Sequence, residues 1–522
     1  MGATRALKAN SGTNRSDAIL ILNFGGQYTH LIGRNVRENS VYSEIVPNDT
    51  SARRIKRIVS KTNVKGIILS GGPDSVYQKG APGLDQKVLD LGIPVLGLCY
   101  GHQLIAKMAN GVVKPAEKKE FGGTKATIDR GVAVLKGLEP RQDVWMSHGD
   151  TVYSMPPEYE VLAHTDNTPV AAFRHKDRPI YGLQWHPEVM HTKNGVQMLR
   201  NFLFDQCGCK PDWKMEDFAP RALEAIKHRI RGGSAVVALS GGVDSSVATA
   251  LVAKAIGGEK MAVVYVDTGL MRKGETEQVR ETFSALGTDL RIIDAEERFV
   301  KALKGVVNPE KKRKIIGRLF IRIFEEQAAL IKADYLVQGT IYPDTIESKG
   351  GIKTHHNIAL PRKLKFRGIV EPLKDLYKDE VRIVGRSLGL PDSIVDRQPF
   401  PGPGLAVRIK GEVTKRKLEM VREADWIVTS EIEKAGLAKG LWQYFATLTD
   451  TRSVGVRGDS RSYKRIAGVN AYVSRDAMTA EFAELPWDVL RAISTRITNE
   501  VPGIGRPLYN ITDKPPGTIE WE

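Results

Sequence analysis

Cys99 sits in "VLGLCYGHQL", with Gly97 and Gly101 two residues away on either side. G-x-C-x-G is the cysteine counterpart of the G-x-S-x-G nucleophile elbow, a strand-to-helix turn that only small neighbours permit. Such a turn lifts the sulfur above the sheet, and the helix N-terminus behind it favours the thiolate. A lone cysteine after a strand is ordinarily a small buried hydrophobe; the paired glycines argue for the elbow. A thiolate nucleophile needs a base and a group to orient that base. "YGLQWHPEV" offers His186 and Glu188 after a second strand, with Pro187 fixing the turn between them. An oxyanion hole needs backbone N–H donors. The glycine loop "LSGGPDS" and the elbow itself offer those of Gly72 and Tyr100.

A second constellation is "AVVALSGGVDSSVA" at 235–248: an apolar run, a loop of serines and glycines, then a helical pattern. Gly241 and Gly242 let the backbone wrap an anion, Val243 completes the loop, and Asp244 to Ile256 reads as a helix whose first N–H groups face the anion. Ser240, Ser245 and Ser246 add hydroxyl donors. The phosphate loop GxxxxGK[ST] carries a lysine, whereas this one carries Asp244. A carboxylate beside phosphates suits a divalent cation, and Mg²⁺ prefers carboxylate and phosphate oxygens. Asp244 is therefore the candidate magnesium ligand. The missing cation is expected from elsewhere, and Lys378 in "EPLKDLYKDEVR" is the candidate; a solvated helix charge is its bland alternative.

The elements that must carry these groups follow from the apolar pattern. In residues 18–206, "AILILNF", "GIILSG", "PVLGLC" and "IYGLQWH" read as strands alternating with helical segments. That alternation predicts an open, mostly parallel sheet with its ligands at the strand C-terminal ends. "CGCKPDW" then reads as a linker. "SAVVALS", "MAVVYVD" and "YLVQGT", separated by helices, predict a second open, mostly parallel α/β domain. It closes at "DRQPFPGPGL", which is too rich in proline and glycine for regular structure. Beyond lies a long helix, the strand-like "YFATLT", "RSVGVRG" and "AYVSRD", and another helix, which together predict a small α+β domain. The expected layout is a disordered tail (1–16), two α/β domains (17–208 and 212–396) and an α+β domain (397–522).

Composition narrows the class. The 522 residues suffice for three or four domains of about 150 residues. No apolar run approaches the ~20 residues of a membrane-spanning helix. Three cysteines are too few for a disulfide scaffold. A cytoplasmic protein with no membrane partner is expected. The net charge of +16 suits nucleic acid, phosphorylated small molecules or simply a solvated surface.

The cysteine, histidine and glutamate motifs together resemble the class I glutamine amidotransferases. By that resemblance Cys99 attacks the side-chain amide of glutamine, His186 shuttles the proton, and Glu188 orients His186. Gln103 and "SHGD" (147–150) would surround the substrate glutamine. Asn23 departs from that pattern, where relatives often carry an acid. "SGGVDSS" resembles the N-type ATP pyrophosphatases, in which the loop grips the β- and γ-phosphates and pyrophosphate leaves.

From residue 17 onward, "KKRKIIGR", "QGTIYPDTIES", "KTHHN", "RQPFPGPGL", "RSVGVRGD" and "KPPGTIEWE" look like the glutamine-hydrolysing GMP synthetase family. The resemblance implies xanthosine 5′-monophosphate (XMP) as acceptor, with Arg313, Asp459, Lys514 and Glu520 at positions that contact it. It also implies a homodimer paired through the last domain and a mobile lid at "ESKGGIKTHHNIALP". That lid is shorter than in many bacterial relatives, and Gln398 replaces a common histidine.

Another glutamine-dependent pyrophosphatase, such as an NAD synthetase, is the alternative, and the C-terminal motifs argue against it. An RNA-binding or RNA-thiolating protein is a third reading. The lack of further cysteines near 240–350 weighs against thiolation, and nucleic acid is not the expected partner. A catalytically silent scaffold would not need Cys99, His186, Glu188 and Asp244 all in place.

Overall fold

The computed structural model describes residues 16–60, 62–349, 366–457, 460–474 and 479–522. Residues 1–15 of the expected tail, most of the expected lid and Asp459 fall outside the described residues. The chain divides into two compact units, Met1–Lys214 and Met215–Glu522.

The first unit is built on one nine-stranded sheet. Its strands are β1 (Asp17–Asn23), β2 (Tyr42–Pro47), β3 (Asn63–Leu69), β4 (Val95–Leu98) and β5 (Val112–Ile128). They continue with β6 (Arg141–Ser154), β7 (Tyr159–His164), β8 (Ala172–His175) and β9 (Ile180–Leu183). The order is β2-β1-β3-β4-β9-β8-β7-β5-β6. Helices α1 (Thr29–Glu38), α2 (Ala52–Val59), α3 (Tyr100–Met108) and α4 (Gly195–Arg200) intervene. β2, β1, β3, β4 and β9 run parallel, and β8, β7, β5 and β6 extend the sheet antiparallel. The expected parallel sheet is present from β2 to β9, and an antiparallel extension, half of the strand pairings, makes the whole sheet mixed. Apolar residues fill both faces: Ile19, Ile21 and Leu96 lie on one side, Leu20, Leu22 and Val95 on the other. Burial on both sides is why these strands read as continuous apolar runs.

In the second unit, β10 (Ala235–Leu239), β11 (Met261–Asp267), β12 (Asp289–Asp294), β13 (Tyr335–Val337) and β14 (Gly368–Val370) form a wholly parallel sheet. Its order is β12-β11-β10-β13-β14. The chain builds one side of β10 and then crosses to the other, so the switch point falls between β10 and β13. Ligands of open α/β sheets bind at such a crevice. The helices are α5 (Phe218–Ile230), α6 (Val243–Ile256), α7 (Glu275–Ser284), α8 (Glu296–Leu303), α9 (Pro309–Ile331), α10 (Tyr342–Lys349), α11 (Lys378–Ser387) and α12 (Asp392–Val395).

The C-terminal part adds α13 (Lys415–Lys434), β15 (Gln443–Arg457), β16 (Ser460–Val473), β17 (Glu481–Phe482), α14 (Trp487–Glu500) and β18 (Ile504–Tyr509). β16 pairs antiparallel with β15 and β17, and parallel with β18. This is the α+β arrangement, and it shares apolar packing with the parallel sheet. One apolar core runs from Val236 and Phe299 through Leu405 to Ile427, Leu448 and Ile504. "YFATLT" and the "RSVGVR" of the next stretch are one strand, β15, rather than two.

Candidate active sites

β3, β4 and β9 are neighbours in the parallel half of the first sheet, so Leu69, Leu98 and Leu183 end side by side. The segments leaving those ends carry the glycine loop, the cysteine and the histidine. Cys99 has φ 50 and ψ −103, a strained turn between β4 and α3. A Cβ on Gly97 would lie 2.5 Å from the Gly101 carbonyl oxygen, and one on Gly101 would lie 2.5 Å from that of Leu69. Both glycines are therefore sterically required, which gives the elbow its physical basis.

His186 is buried, and its Nδ1 lies 2.7 Å from Glu188 Oε1, whose side chain is 0% exposed. The Cys99 side chain is close by, across Gly71. Burial alone would push the imidazole pKa down; the Glu188 carboxylate and the Cys99 sulfur outweigh it and hold it well above 6.5. The backbone is fixed as well: the His186 N–H donates to Trp145 O at 3.0 Å, and Thr192 Oγ1 donates to His186 O at 2.6 Å. The Tyr28 ring meets the imidazole edge-on, with centroids 5.0 Å apart.

Gly72 follows β3, and Tyr100 opens α3. Neither backbone N–H donates to a protein acceptor among the described residues. Gly71 was not singled out in the sequence, yet a Cβ there would stand 3.0 Å from His186 Cε1 and 3.7 Å from Cys99 Cβ. Gln103 is buried on α3, and its Nε2 donates to Asp150 O at 2.9 Å and Gln184 Oε1 at 3.2 Å. The "SHGD" backbone reaches the thiol, with Ser147 O 3.7 Å from Cys99 Sγ.

The second site lies where β10 ends. Ser240 to Gly242 form the loop, and α6 begins at Val243, so the first amides of α6 point out of its N-terminus. Ser245 Oγ ties the loop together, 2.9 Å from Ser240 Oγ and donating to Gly242 O at 3.1 Å. The segment that follows β13 closes the crevice, because a Cβ on Gly339 would be 2.8 Å from the Ser245 N. Lys378, at the first turn of α11, places Nζ 2.7 Å from Asp244 Oδ2. Asp244 Oδ1 and Ser246 Oγ are buried with no protein partner. Among the described residues no three His, Cys, Asp or Glu side chains gather into a metal cage. One carboxylate with an open oxygen fits a hard cation whose remaining ligands are phosphates and water.

Arg397 was missed in the sequence. Its Nη1 donates to Gly241 O at 2.7 Å and pairs with Glu275 Oε1 at 2.9 Å. It stands in "DRQPFPGPGL", where a basic residue beside a proline-rich loop was the available signal. Asp267, at the end of β11, caps its own turn: it accepts from the Gly269 N–H at 2.9 Å and Thr276 Oγ1 at 2.7 Å.

The residues expected to meet the acceptor are placed unequally. Arg313 on α9 donates to the backbone oxygen of Glu522, and the neighbouring buried Lys312 pairs with the Glu522 carboxylate. Glu520 accepts from Gln443 Nε2 at 2.8 Å and from Arg408 Nη2 and Nε at 3.2 and 3.4 Å. A carboxylate has about four lone-pair directions, so three donors leave one. Lys514 is held to Ala480 by backbone bonds in both directions, at 3.0 and 2.7 Å. These contacts join Arg313 and Glu520 to one folded tail and leave Lys514 on a separate bridge.

Residues 20–206 match the family described as glutamine amidotransferase class-I. Residues 221–411 match NAD synthase, and 430–521 match the GMP synthase C terminal domain. Along nearly its whole length the chain is similar to a glutamine-hydrolyzing GMP synthase from Caldicellulosiruptor saccharolyticus. The two are 51% identical over 97% of this chain and 99% of that one. The chain belongs to the glutamine-hydrolysing GMP synthase family. Other GMP synthases, from Syntrophomonas wolfei (51% identical) and Caldanaerobacter subterraneus (50%), each align over 97% of this chain and 99% of their own. Membership in the GMP synthase family disfavours the NAD synthetase alternative. The central match to NAD synthase reflects the shared pyrophosphatase unit, whereas the C-terminal match is specific to GMP synthases.

Proposed function

We propose that two sites divide the work of glutamine-dependent GMP synthesis. The chain is a ligase that takes its amido nitrogen from glutamine and uses ATP. The observation that carries the residue assignment is the His186–Glu188 contact with Cys99 beside it across Gly71, at the end of the parallel strands.

Cys99 attacks the side-chain carbonyl of glutamine. The N–H groups of Gly72 and Tyr100 receive the developing oxyanion, supported by their lack of other acceptors. His186 gives its proton to the departing nitrogen, ammonia leaves, and a glutamyl thioester remains. His186 then takes a proton from water, which cleaves the thioester to glutamate and frees the thiol. Glu188 keeps the imidazole in the orientation both transfers need. Gln103 holds the pocket wall through Asp150.

At the second site, XMP O2 attacks the α-phosphorus of ATP, and pyrophosphate leaves. Ammonia adds at C2, AMP departs with the oxygen, and GMP results. Ser240 to Ser246 hold the phosphates through backbone amides and hydroxyls, and Lys378 adds positive charge. Asp244, with Oδ1 open, would hold Mg²⁺, which neutralises charge on the departing pyrophosphate when bound. Arg313, Asp459, Lys514 and Glu520 are proposed to hold XMP.

No helix among the described residues is long and apolar enough to cross a membrane; a cytoplasmic location fits that and is proposed. A homodimer through the C-terminal part is also proposed, supported by exposed Val454, Val456 and Tyr463 on β15 and β16.

The deciding experiment is Cys99→Ala assayed with XMP, ATP and Mg²⁺. Glutamine-driven GMP formation should vanish, and ammonia-driven formation should persist. Failure of ammonia to rescue the variant would overturn the two-site scheme.

A further inference from the structure

β5 and β6 pair antiparallel, but their register breaks beside the thiol site. Pro115 faces Asp150, and the next partners are Glu120 and His148. Residues 116–119 of β5 therefore stand against Gly149 alone. Irregularities of this kind re-aim a strand and cluster near active sites.

The pairing resumes at a buried charged contact. Glu120 accepts from Thr165 Oγ1 at 2.8 Å and Thr168 Oγ1 at 2.7 Å, and His148 Nε2 lies 3.2 Å from its Oε2. Both side chains are buried, at 3% exposed for Glu120 and 2% for His148. Burial alone would raise the Glu120 pKa; the donors from His148, Thr168 and Thr165 outweigh it and hold the carboxyl at about 2. His148 Nδ1 lies 2.8 Å from Asp150 O.

From Asp150 the network reaches the thiol site by two routes. Its carbonyl also accepts from Gln103 on α3, the helix that Cys99 precedes. Its Oδ1 accepts from Tyr77 OH at 2.6 Å, in the segment that follows the Gly72 loop. One residue before His148, the Ser147 carbonyl faces Cys99 Sγ.

We propose that Glu120, acting through His148, is a positioning residue for the thiol site: it fixes the Ser147–Asp150 wall against Cys99 and so sets how tightly glutamine is held. The inference rests on Cys99 being the nucleophile. Glu120 does not touch the reacting atoms, so its loss falls on binding before chemistry.

The test is steady-state kinetics on the full chain with XMP, ATP and Mg²⁺, using glutamine or ammonia as nitrogen source. Glu120→Gln keeps the shape and removes the charge. It should raise the glutamine KM about 10-fold or more, the loss expected when a hydrogen bond to a charged group goes. kcat should stay within about 3-fold and the ammonia-driven rate should match the parent. Thr168→Val, which removes a single donor, should shift KM the same way by a smaller factor and serves if Glu120→Gln does not fold. An unchanged glutamine KM overturns the inference, as does an ammonia-driven rate that falls in parallel. Cys99→Ala separates the two readings. Its loss of glutamine-driven activity, with a normal KM in Glu120→Gln, rejects this inference alone. Glutamine-driven activity in Cys99→Ala would reject the thiol reading itself.

Discussion

His186 Nδ1 lies 2.7 Å from a Glu188 carboxylate that water does not reach. That one contact both fixes the imidazole and favours its charged form. Glu188→Gln keeps the shape and removes the charge. Glutamine-driven turnover should fall on the order of 10²-fold, the scale of positioned acid–base catalysis. The ammonia-driven rate should be untouched, and assaying both nitrogen sources on one preparation checks this.

The same contact predicts a pH dependence of stability. The folded pKa of His186 is raised above its unfolded value of 6.5. Its stabilisation is therefore fully present below about 6.5 and is lost as pH rises through the folded value. Denaturant midpoints of the first unit should decline on the alkaline side. In Glu188→Gln that decline should begin at lower pH, and an unchanged pH profile would reject the coupling.

At the second site, Asp244→Asn should remove ATP-dependent chemistry with either nitrogen source, by more than about 10²-fold. Pyrophosphate release measured with XMP and ATP but no nitrogen source reports this without ammonia transfer. Lys378→Met should weaken the same step but leaves the carboxylate in place. Its defect should therefore be partly offset by raising Mg²⁺, whereas that of Asp244→Asn should not.

Arg397 yields a separate expectation. A peptide unit is planar, so holding the Gly241 carbonyl on one side turns the Gly242 N–H to the other. Arg397 thereby fixes the peptide unit whose N–H donates to Ser240 Oγ at 3.4 Å, and with it the shape of the loop. Arg397→Met should raise the KM for ATP about 10- to 100-fold, corresponding to a charged hydrogen bond of about 1.5–3 kcal/mol. Glutamine hydrolysis should not change; an unaltered ATP KM would show that the loop holds its shape unaided.

Cys99, His186, Glu188 and the 240–246 loop were legible because their neighbours are local: glycines at fixed offsets, a strand before, a helix after. Arg397 and Gly71 were not, since each matters only through a partner far along the chain or across the sheet. The β5–β6 hairpin was hidden too. "VVKPAEKKEFGGTKATI" is mostly exposed and lacks apolar alternation, so its pairing comes from partners rather than pattern. The packing shared across 397–404 was concealed by the proline and glycine there. Those residues forbid regular structure, yet Leu405 and Ile409 beside them enter the common core.

Arg408 joins that core to the tail and supports the last prediction. It is 0% exposed, with Nη1 3.1 Å from Asp425 Oδ1 and Nη2 3.2 Å from Glu520 Oε1. Its guanidinium lies 4.1 Å from the Phe445 ring centroid and 5.1 Å from that of Phe400. Removing it leaves two carboxylates without their cation. Breaking a buried pair in this way costs about 3–5 kcal/mol. Arg408→Met should lower the denaturant midpoint of the second unit by that equivalent, and Arg408→Lys should recover little, because one ammonium cannot fork to two acids. If Glu520 helps form the XMP pocket, Arg408→Lys should also raise the XMP KM while glutamine hydrolysis is retained. A variant with normal XMP KM and a lowered midpoint would confine Arg408 to the fold.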